Sequence, residues 1–169
     1  MATLILTVAG ADRPGLVAAV AEAIDAHDGN WENSRLAELA GTFAGVIQVS
    51  VPDDRAADLT GALRALDGLL AVTVHAGADA ASAPASHAVS LQVLGNDRPG
   101  IVREISSVLR THEVSIDTIV TETRDAAMAG GRLFEASVEA EVPASADLDA
   151  LRADLERLTA ELQVDITLA

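Results

Sequence analysis

The chain has 169 residues, no cysteine, and a formal net charge of −15 from 26 acidic and 11 basic residues. The lack of cysteine excludes disulfides and thiolate metal ligands, and because every basic residue is arginine, no lysine can form a Schiff base or a phosphate loop. The acidic balance argues against direct nucleic-acid binding, which depends on clustered basic residues. No segment approaches the ~20 consecutive apolar residues of a membrane helix, so we expect a cytoplasmic protein without membrane contact.

The first half of the chain predicts the order strand, helix, strand, strand, helix, strand. A strand over Leu4 to Val8 is followed by the turn Asp12-Arg13-Pro14-Gly15 and a helix. The spacing of apolar residues then changes between the helical period and the period of two that is typical of strands. The apolar positions are Leu16, Val17, Val20, Ala21 and Ile24, then Ile47, Val49 and Val51, then Leu59, Leu63 and Leu66, then Val72 and Val74.

Residues 77–86 predict a linker, because they are small, include Gly and Pro, and have no apolar period. This interpretation divides the chain into a first domain at residues 1–76 and a second at residues 87–169. A further turn is predicted at Gly130-Gly131 inside the second domain.

The second half predicts the same order of elements. Its clearest strand runs from Phe134 to Val142, where apolar and acidic residues alternate. The acidic positions Glu135, Glu139 and Glu141 are expected on an exposed sheet face rather than at a metal. The other apolar positions are Val89, Leu91 and Val93, then Ile101, Val102, Ile105, Val108 and Leu109, then Val114, Ile116, Thr118 and Val120, then Leu148, Leu151, Leu155, Leu158 and Leu162, then Val164, Ile166 and Leu168.

A repeat explains why the two halves agree. The segment from Val8 to Val17 recurs 85 residues further on, from Val93 to Val102, with the Asp-Arg-Pro-Gly turn in the same place. The predicted class is therefore α+β, with two tandem ferredoxin-like βαββαβ domains. Each would be a four-stranded antiparallel sheet with its helices on one face. Because such small units bury only a modest fraction of their surface, pairing of the copies and a homodimer are expected.

The Asp-Arg-Pro-Gly turn has two interpretations. In the simpler one Asp12 caps the helix, Pro14 begins its first turn, and Gly15 allows close packing. In the other, the N–H groups at the helix tip bind a carboxylate while the Asp side chain accepts hydrogen bonds from an ammonium group. Those are the two ends of a free α-amino acid, and Gly10 and Gly95 would keep the approach open.

Both halves resemble ACT domains, which are small effector-binding modules of amino-acid metabolism. An Asn/Asp-Arg-Pro-Gly turn after the first strand is the feature by which that family is best recognised. Two such domains with nothing else resemble the glycine cleavage system transcriptional repressor family, whose members are thought to act on a DNA-binding activator rather than on DNA. The resemblance implies a ligand held between paired domains, by the turn of one and the start of the second strand of its neighbour.

On that basis the candidate ligand-binding residues fall into two matched sets. They are Ala11, Asp12, Gly15, Leu16 and Asn30 in the first copy, and Asn96, Asp97, Gly100, Ile101 and Ser115 in the second. In ACT domains that sense serine, the corresponding motif has Asn where this chain has Asp12 and Asp97. It has His where this chain has Gly10 and Gly95. These departures leave open which amino acid binds and whether both copies bind.

The function predicted is a non-catalytic regulator that senses a glycine-like or serine-like amino acid and modulates a protein partner, such as an activator of glycine cleavage. The alternative is a regulatory subunit of an amino-acid biosynthetic enzyme, resembling the acetohydroxyacid synthase small subunit. No cofactor, metal or catalytic residue is predicted. His27 and His112 are expected to be structural, near helix C-termini, and Trp31 to be an exposed or interface aromatic that could also wall a pocket.

Overall fold

The structure is a computed structural model that describes residues 1–77, 85–126, 130–162 and 164–169. The chain divides into two compact units, Met1–Ala81 and Ser82–Ala169. Most of the predicted linker, residues 78–84, and residues 127–129 next to the predicted Gly130-Gly131 turn lie outside the described residues. Each unit is described below by itself.

Unit 1 has the predicted βαββαβ order. Its four strands form one antiparallel sheet in the order β2-β3-β1-β4. The elements are β1 (Ala2–Ala11), α1 (Leu16–Asp25), β2 (Asn30–Leu39), β3 (Thr42–Val51), α2 (Ala56–Arg64) and β4 (Ala71–Ala76).

Unit 2 repeats this topology. Its antiparallel sheet has the order β6-β7-β5-β8, which is the unit 1 order carried into the second copy. The elements are β5 (Ser86–Asn96), α3 (Ile101–Thr111), β6 (Ser115–Asp125), β7 (Arg132–Pro143), α4 (Leu148–Leu162) and β8 (Val164–Leu168). The predicted fold class is thereby confirmed.

The core of each unit lies between one face of the sheet and the two helices. In β1 and β3 every second residue is buried, as the period-two pattern predicts, and the helices contribute residues four apart. Each such aliphatic side chain stabilises the fold by about 1.5–3 kcal/mol through burial. The buried residues of unit 1 are Leu4, Leu6, Val8, Leu16, Val20, Ile24, Ile47, Val49, Val51, Leu59, Leu63 and Leu70.

The helix faces are narrower than the sequence pattern predicts. Val17 and Val102 were expected on the core faces of α1 and α3, but they are 45% and 42% exposed. Each lies about 100° around the helix from its buried neighbour, Leu16 or Ile101. Leu148, the first residue of the predicted leucine stripe of α4, is 40% exposed, so the buried stripe begins one turn later.

A β-bulge breaks the predicted alternation of the second strand in both units. The register shifts between Trp31 and Asn33 in β2, and at the equivalent place between Ile116 and Thr118 in β6. Because an extra residue reverses which side chains face the core, Thr118 and Val120 do not continue the face of Ile116, and that prediction is wrong. Val120 is 62% exposed.

Candidate ligand-binding site

The Asp-Arg-Pro-Gly turn is built in the same way in both units. The Asp12 N–H donates to the Gly41 carbonyl at 2.8 Å, and the Asp97 N–H donates to the Arg132 carbonyl at 2.8 Å. Each bond ties the end of the first strand of a unit to the hairpin between its second and third strands. The start of the turn is therefore fixed by backbone contacts, and its Asp side chain is left exposed.

Glycine, not aspartate, precedes each helix. Gly15 and Gly100 are the N-cap residues, with φ of 93° and 99°, a left-handed conformation that favours glycine. No side chain caps either helix. The prediction that Asp12 caps α1 and that Pro14 lies in its first turn is wrong, because the left-handed glycine makes the change from strand to helix and leaves Asp12 three residues before the cap.

The helix tips, meaning the N–H groups of the first turns of α1 and α3, consequently lack a side-chain acceptor. The first helical bonds are Ala19 N–H to Gly15 carbonyl, 2.9 Å, and Glu104 N–H to Gly100 carbonyl, 3.0 Å. N–H groups before them are the ones that a helix cannot satisfy internally. Leu16 and Ile101 are only 3% and 2% exposed, so their side chains belong to the core and only their backbone could contact a ligand.

In unit 1 the helix tip borders an open cleft of about 270 Å³. This volume lies just below the range of roughly 300–1,000 Å³ that is usual for small-molecule sites, so only a small ligand would fit. The cleft combines backbone N–H groups, the Asp12 carboxylate and apolar walls. Its lining residues are Asp12, Arg13, Gly15, Leu16, Val17, Ala18 and Phe43.

Arg13 lines this cleft, but its guanidinium is hydrogen-bonded within the unit. Its Nη2 donates to the carbonyls of Gly68 and Leu69 at 2.9 and 3.0 Å, which ties the turn to the loop between α2 and β4. Gly10 serves the same contact, since a Cβ there would lie 3.1 Å from the Leu69 carbonyl oxygen. Gly10 therefore packs closely against this loop, where a larger residue would have to push its neighbours aside. That Gly10 keeps a ligand's approach open stays a prediction.

The sequence analysis missed Phe43, which walls the cleft. Phe43 lies opposite Gly10 in the β1–β3 ladder, and Phe134 lies opposite Gly95 in the β5–β7 ladder. These are the two phenylalanines of the chain. Their equivalence in the repeat was a signal available in the sequence, because each precedes by the same number of residues the Val-Pro pair that ends its strand.

The predicted site residues of one unit do not all lie together. Ala11 pairs with Thr42 at one end of β3, whereas Asn30 pairs with Ser50 at the other end. Eight residues of strand separate those positions, or roughly 27 Å at 3.4 Å per residue. The same separation holds in unit 2, where Asn96 pairs with Leu133 and Ser115 with Glu141. A single unit therefore carries the two predicted halves of a site at opposite ends of its sheet.

The helix tip of unit 2 differs from that of unit 1 in its charged neighbours. Glu104 in the first turn of α3 accepts from Arg98 Nη2 at 3.1 Å and from Arg103 Nη2 at 3.5 Å. The equivalent positions of unit 1 hold alanine, and the equivalent arginine, Arg13, bonds elsewhere. Nothing in the sequence pattern alone indicated that Glu104 would bend back along the turn.

The remaining candidates have structural partners. His27 Nδ1 lies 2.8 Å from the Ala23 carbonyl, and His112 Nε2 lies 2.9 Å from Asp154 Oδ2, which joins α3 to α4. Trp31 is half-buried and packs against the unit 1 core. In the four described ranges, no three His, Asp or Glu side chains are placed to hold a metal ion.

Two family models, each described as an ACT domain, match residues 2–77 and 84–165. Together with the two βαββαβ sheets and the repeated turn, these matches show that the chain belongs to the ACT-domain family and carries two ACT domains in tandem. The resemblance stated from the sequence is confirmed. None of the helices in the described part of the chain is long and apolar enough to cross a membrane.

The named relatives are regulators. The chain is 28% identical over 165 residues to the glycine cleavage system transcriptional repressor of Escherichia coli (strain K12). The aligned region covers 94% of this chain and 85% of that relative. The protein of the same name from Shigella flexneri gives the same identity and coverage. A crystal structure of an unknown protein from Galdieria sulphuraria has a TM-score of 0.89 at 29% identity, covering 99% of this chain and 96% of that one. The protein is thus a regulatory ACT-domain protein related to the glycine cleavage repressor.

Proposed function

We propose that this protein is a non-catalytic regulator that binds a small free α-amino acid, glycine or serine in type, at the helix tip beside the Asp-Arg-Pro-Gly turn. The observation that carries the proposal is the uncapped tip of α1, which opens on a small cleft with the Asp12 carboxylate at its rim. A zwitterion needs an anion site and a cation site a short distance apart, and this cleft offers both.

The chemistry of the cleft favours the two ends of an amino acid. The N–H groups of the first helical turn and the helix dipole stabilise a carboxylate. The Asp12 carboxylate can accept charge-assisted hydrogen bonds from the ammonium group. The volume of about 270 Å³ is small for a ligand site, so a hydrogen or a hydroxymethyl side chain suits the cleft better than a long one.

A second ACT domain would complete the site. Because Asn30 and Ser115 begin their strands at the far end of each sheet, they could reach a ligand only from a neighbouring domain, as the family resemblance implies. We therefore propose that the functional form is a homodimer. Binding of the amino acid between two paired ACT domains would change the affinity of the dimer for a protein partner.

The proposed partner is a DNA-binding activator of glycine cleavage genes, and the proposed compartment is the cytoplasm. The relatedness to bacterial transcriptional repressors and the net charge of −15 support this choice, since an acidic protein would affect transcription through another protein. The proposed division remains an ACT domain at residues 1–76, a linker at 77–86 and a second ACT domain at 87–169.

Isothermal titration with a panel of amino acids tests the binding. Glycine or L-serine should give heat, and Asp12→Ala should weaken binding about tenfold or more through loss of a charge-assisted bond. Asp54→Ala is the matched control, because it removes an exposed carboxylate from the turn before α2. Silence across the panel, or equal binding by both variants, would contradict the proposal.

Affinity purification from the source cells then tests the partner. Recovery of a DNA-binding activator, in an amount that changes when the amino acid is added, supports the regulator. Recovery of a large catalytic subunit would instead favour the alternative of a biosynthetic-enzyme regulatory subunit.

A further inference from the structure

The two copies of the motif differ within the first turn of the helix that follows it. Unit 1 has Ala18-Ala19 where unit 2 has Arg103-Glu104, in an otherwise shared Asp-Arg-Pro-Gly setting. The substitution replaces two small neutral side chains by a pair of opposite charges. It also places a carboxylate in the first turn of α3. The tip of the equivalent helix in unit 1, α1, opens on the cleft.

The Glu104 carboxylate lies back along the start of α3. Its Oε2 is 3.1 Å from Arg98 Nη2, and its Oε1 is 3.5 Å from Arg103 Nη2. The Oε1 atom is also 3.4 Å from the point where a Cβ on Gly100, the N-cap residue, would lie. With 29% of its side chain exposed, Glu104 is the less accessible member of both pairs.

Among the residues that the structure describes, the tip of unit 1 has no such carboxylate beside it. A Cβ built on Gly15 would meet no atom within 4 Å, so the space beside that N-cap is open. Arg13 is engaged with the carbonyls of Gly68 and Leu69 instead of a carboxylate. The space beside the N-cap glycine is therefore open in unit 1, whereas in unit 2 it borders the Glu104 carboxylate.

We infer that Glu104 acts as an internal carboxylate that closes the second helix tip, so that unit 1 senses the amino acid and unit 2 does not. This inference rests on the proposed function. An incoming carboxylate at α3 would have to enter the space beside Gly100 that the Glu104 carboxylate borders, and it would compete with Glu104 for Arg98 and Arg103. Repulsion between two carboxylates about 4 Å apart, in a water-like dielectric, weakens binding by roughly fivefold.

The test is an amide-resolved NMR titration of the full chain with glycine and with L-serine. In the wild type, the amides of residues 15–19 should shift, while those of residues 100–104 stay unchanged at the same ligand concentration. In Glu104→Ala the second set should begin to respond, with an affinity gain of roughly fivefold at that tip. Glu156→Ala, which removes an exposed carboxylate from α4, is the matched control and should change neither set.

The reciprocal exchange tests sufficiency. Ala18→Arg combined with Ala19→Glu transfers the charge pair to α1 and should abolish the response of residues 15–19. The change keeps good helix formers, so the fold should persist, and the dispersion of the remaining amide signals checks this.

The outcomes separate the two proposals. A wild type in which both sets shift, or a Glu104→Ala variant in which residues 100–104 still do not respond while residues 15–19 do, overturns the role of Glu104 and leaves the amino-acid sensor standing. A wild type in which neither set shifts overturns the sensor and this inference with it.

Discussion

Gly15, the N-cap residue of α1, has a left-handed backbone conformation, and replacing it tests whether the turn requires glycine. Gly15 has φ of 93° and open space where a Cβ would lie, so Gly15→Ala should cost stability through backbone strain alone, by about 1–2 kcal/mol. Gly61, inside α2 and equally open, has no left-handed φ, and Gly61→Ala should stabilise the protein by about 1 kcal/mol. Urea denaturation of both variants measures the difference. Equal effects of the same sign would mean that the turn does not require glycine.

At the residue scale, the sequence predicted which turn matters but not how it is built. The repeated Asp12 and Asp97 identified the turn, and a cleft does adjoin the first of them. The N-cap of α1 was assigned to Asp12 because Asp is a common N-cap residue, and the amino-acid sequence does not show that Gly15 is left-handed. Glu104 and Phe43 were missed, since their roles depend on how side chains bend and on cross-strand register rather than on neighbours in the chain.

Strand alternation gives the strongest element-scale prediction. Val138 on β7 is 1% exposed, whereas Val120 on the adjacent edge strand β6 is 62% exposed. Val138→Ala should destabilise unit 2 by about 2–3 kcal/mol through lost burial and a residual cavity. Val120→Ala should stay within about 0.5 kcal/mol of the wild type. Chemical denaturation of the two variants decides, and a large effect at Val120 would indicate that β6 is covered in solution.

Strands in which apolar residues alternate without interruption were predicted correctly, whereas strands interrupted by a β-bulge were not. The run from Phe134 to Val142 alternates throughout, and its inward residues are all buried. The second strands carry bulges at Glu32 and Asp117, whose single extra residue leaves no mark in the apolar pattern. The start of each second strand, at Asn30 and Ser115, was nevertheless predicted correctly.

At the scale of the whole molecule, the repeat made the topology predictable. A lone βαββαβ pattern could be confused with other α+β arrangements, but two copies with one motif in register constrain each other. Both sheets have equivalent strand orders, and even the bulges recur at equivalent positions. What the repeat could not supply is the divergence of the two tips, because that lies in the few residues where the copies differ.

The excess negative charge predicts how salt acts on stability. Acidic residues outnumber basic ones in both units, and most ion pairs of the described residues are exposed, so they contribute little. Net self-repulsion should therefore outweigh attraction, and screening should stabilise the fold. Raising sodium chloride from about 0.02 to about 0.5 M should increase the melting temperature by several degrees, since the Debye length falls below the spacing of surface charges. Sucrose at matched osmolality controls for solvent exclusion, and a melting temperature that falls with sodium chloride would show that specific ion pairs dominate.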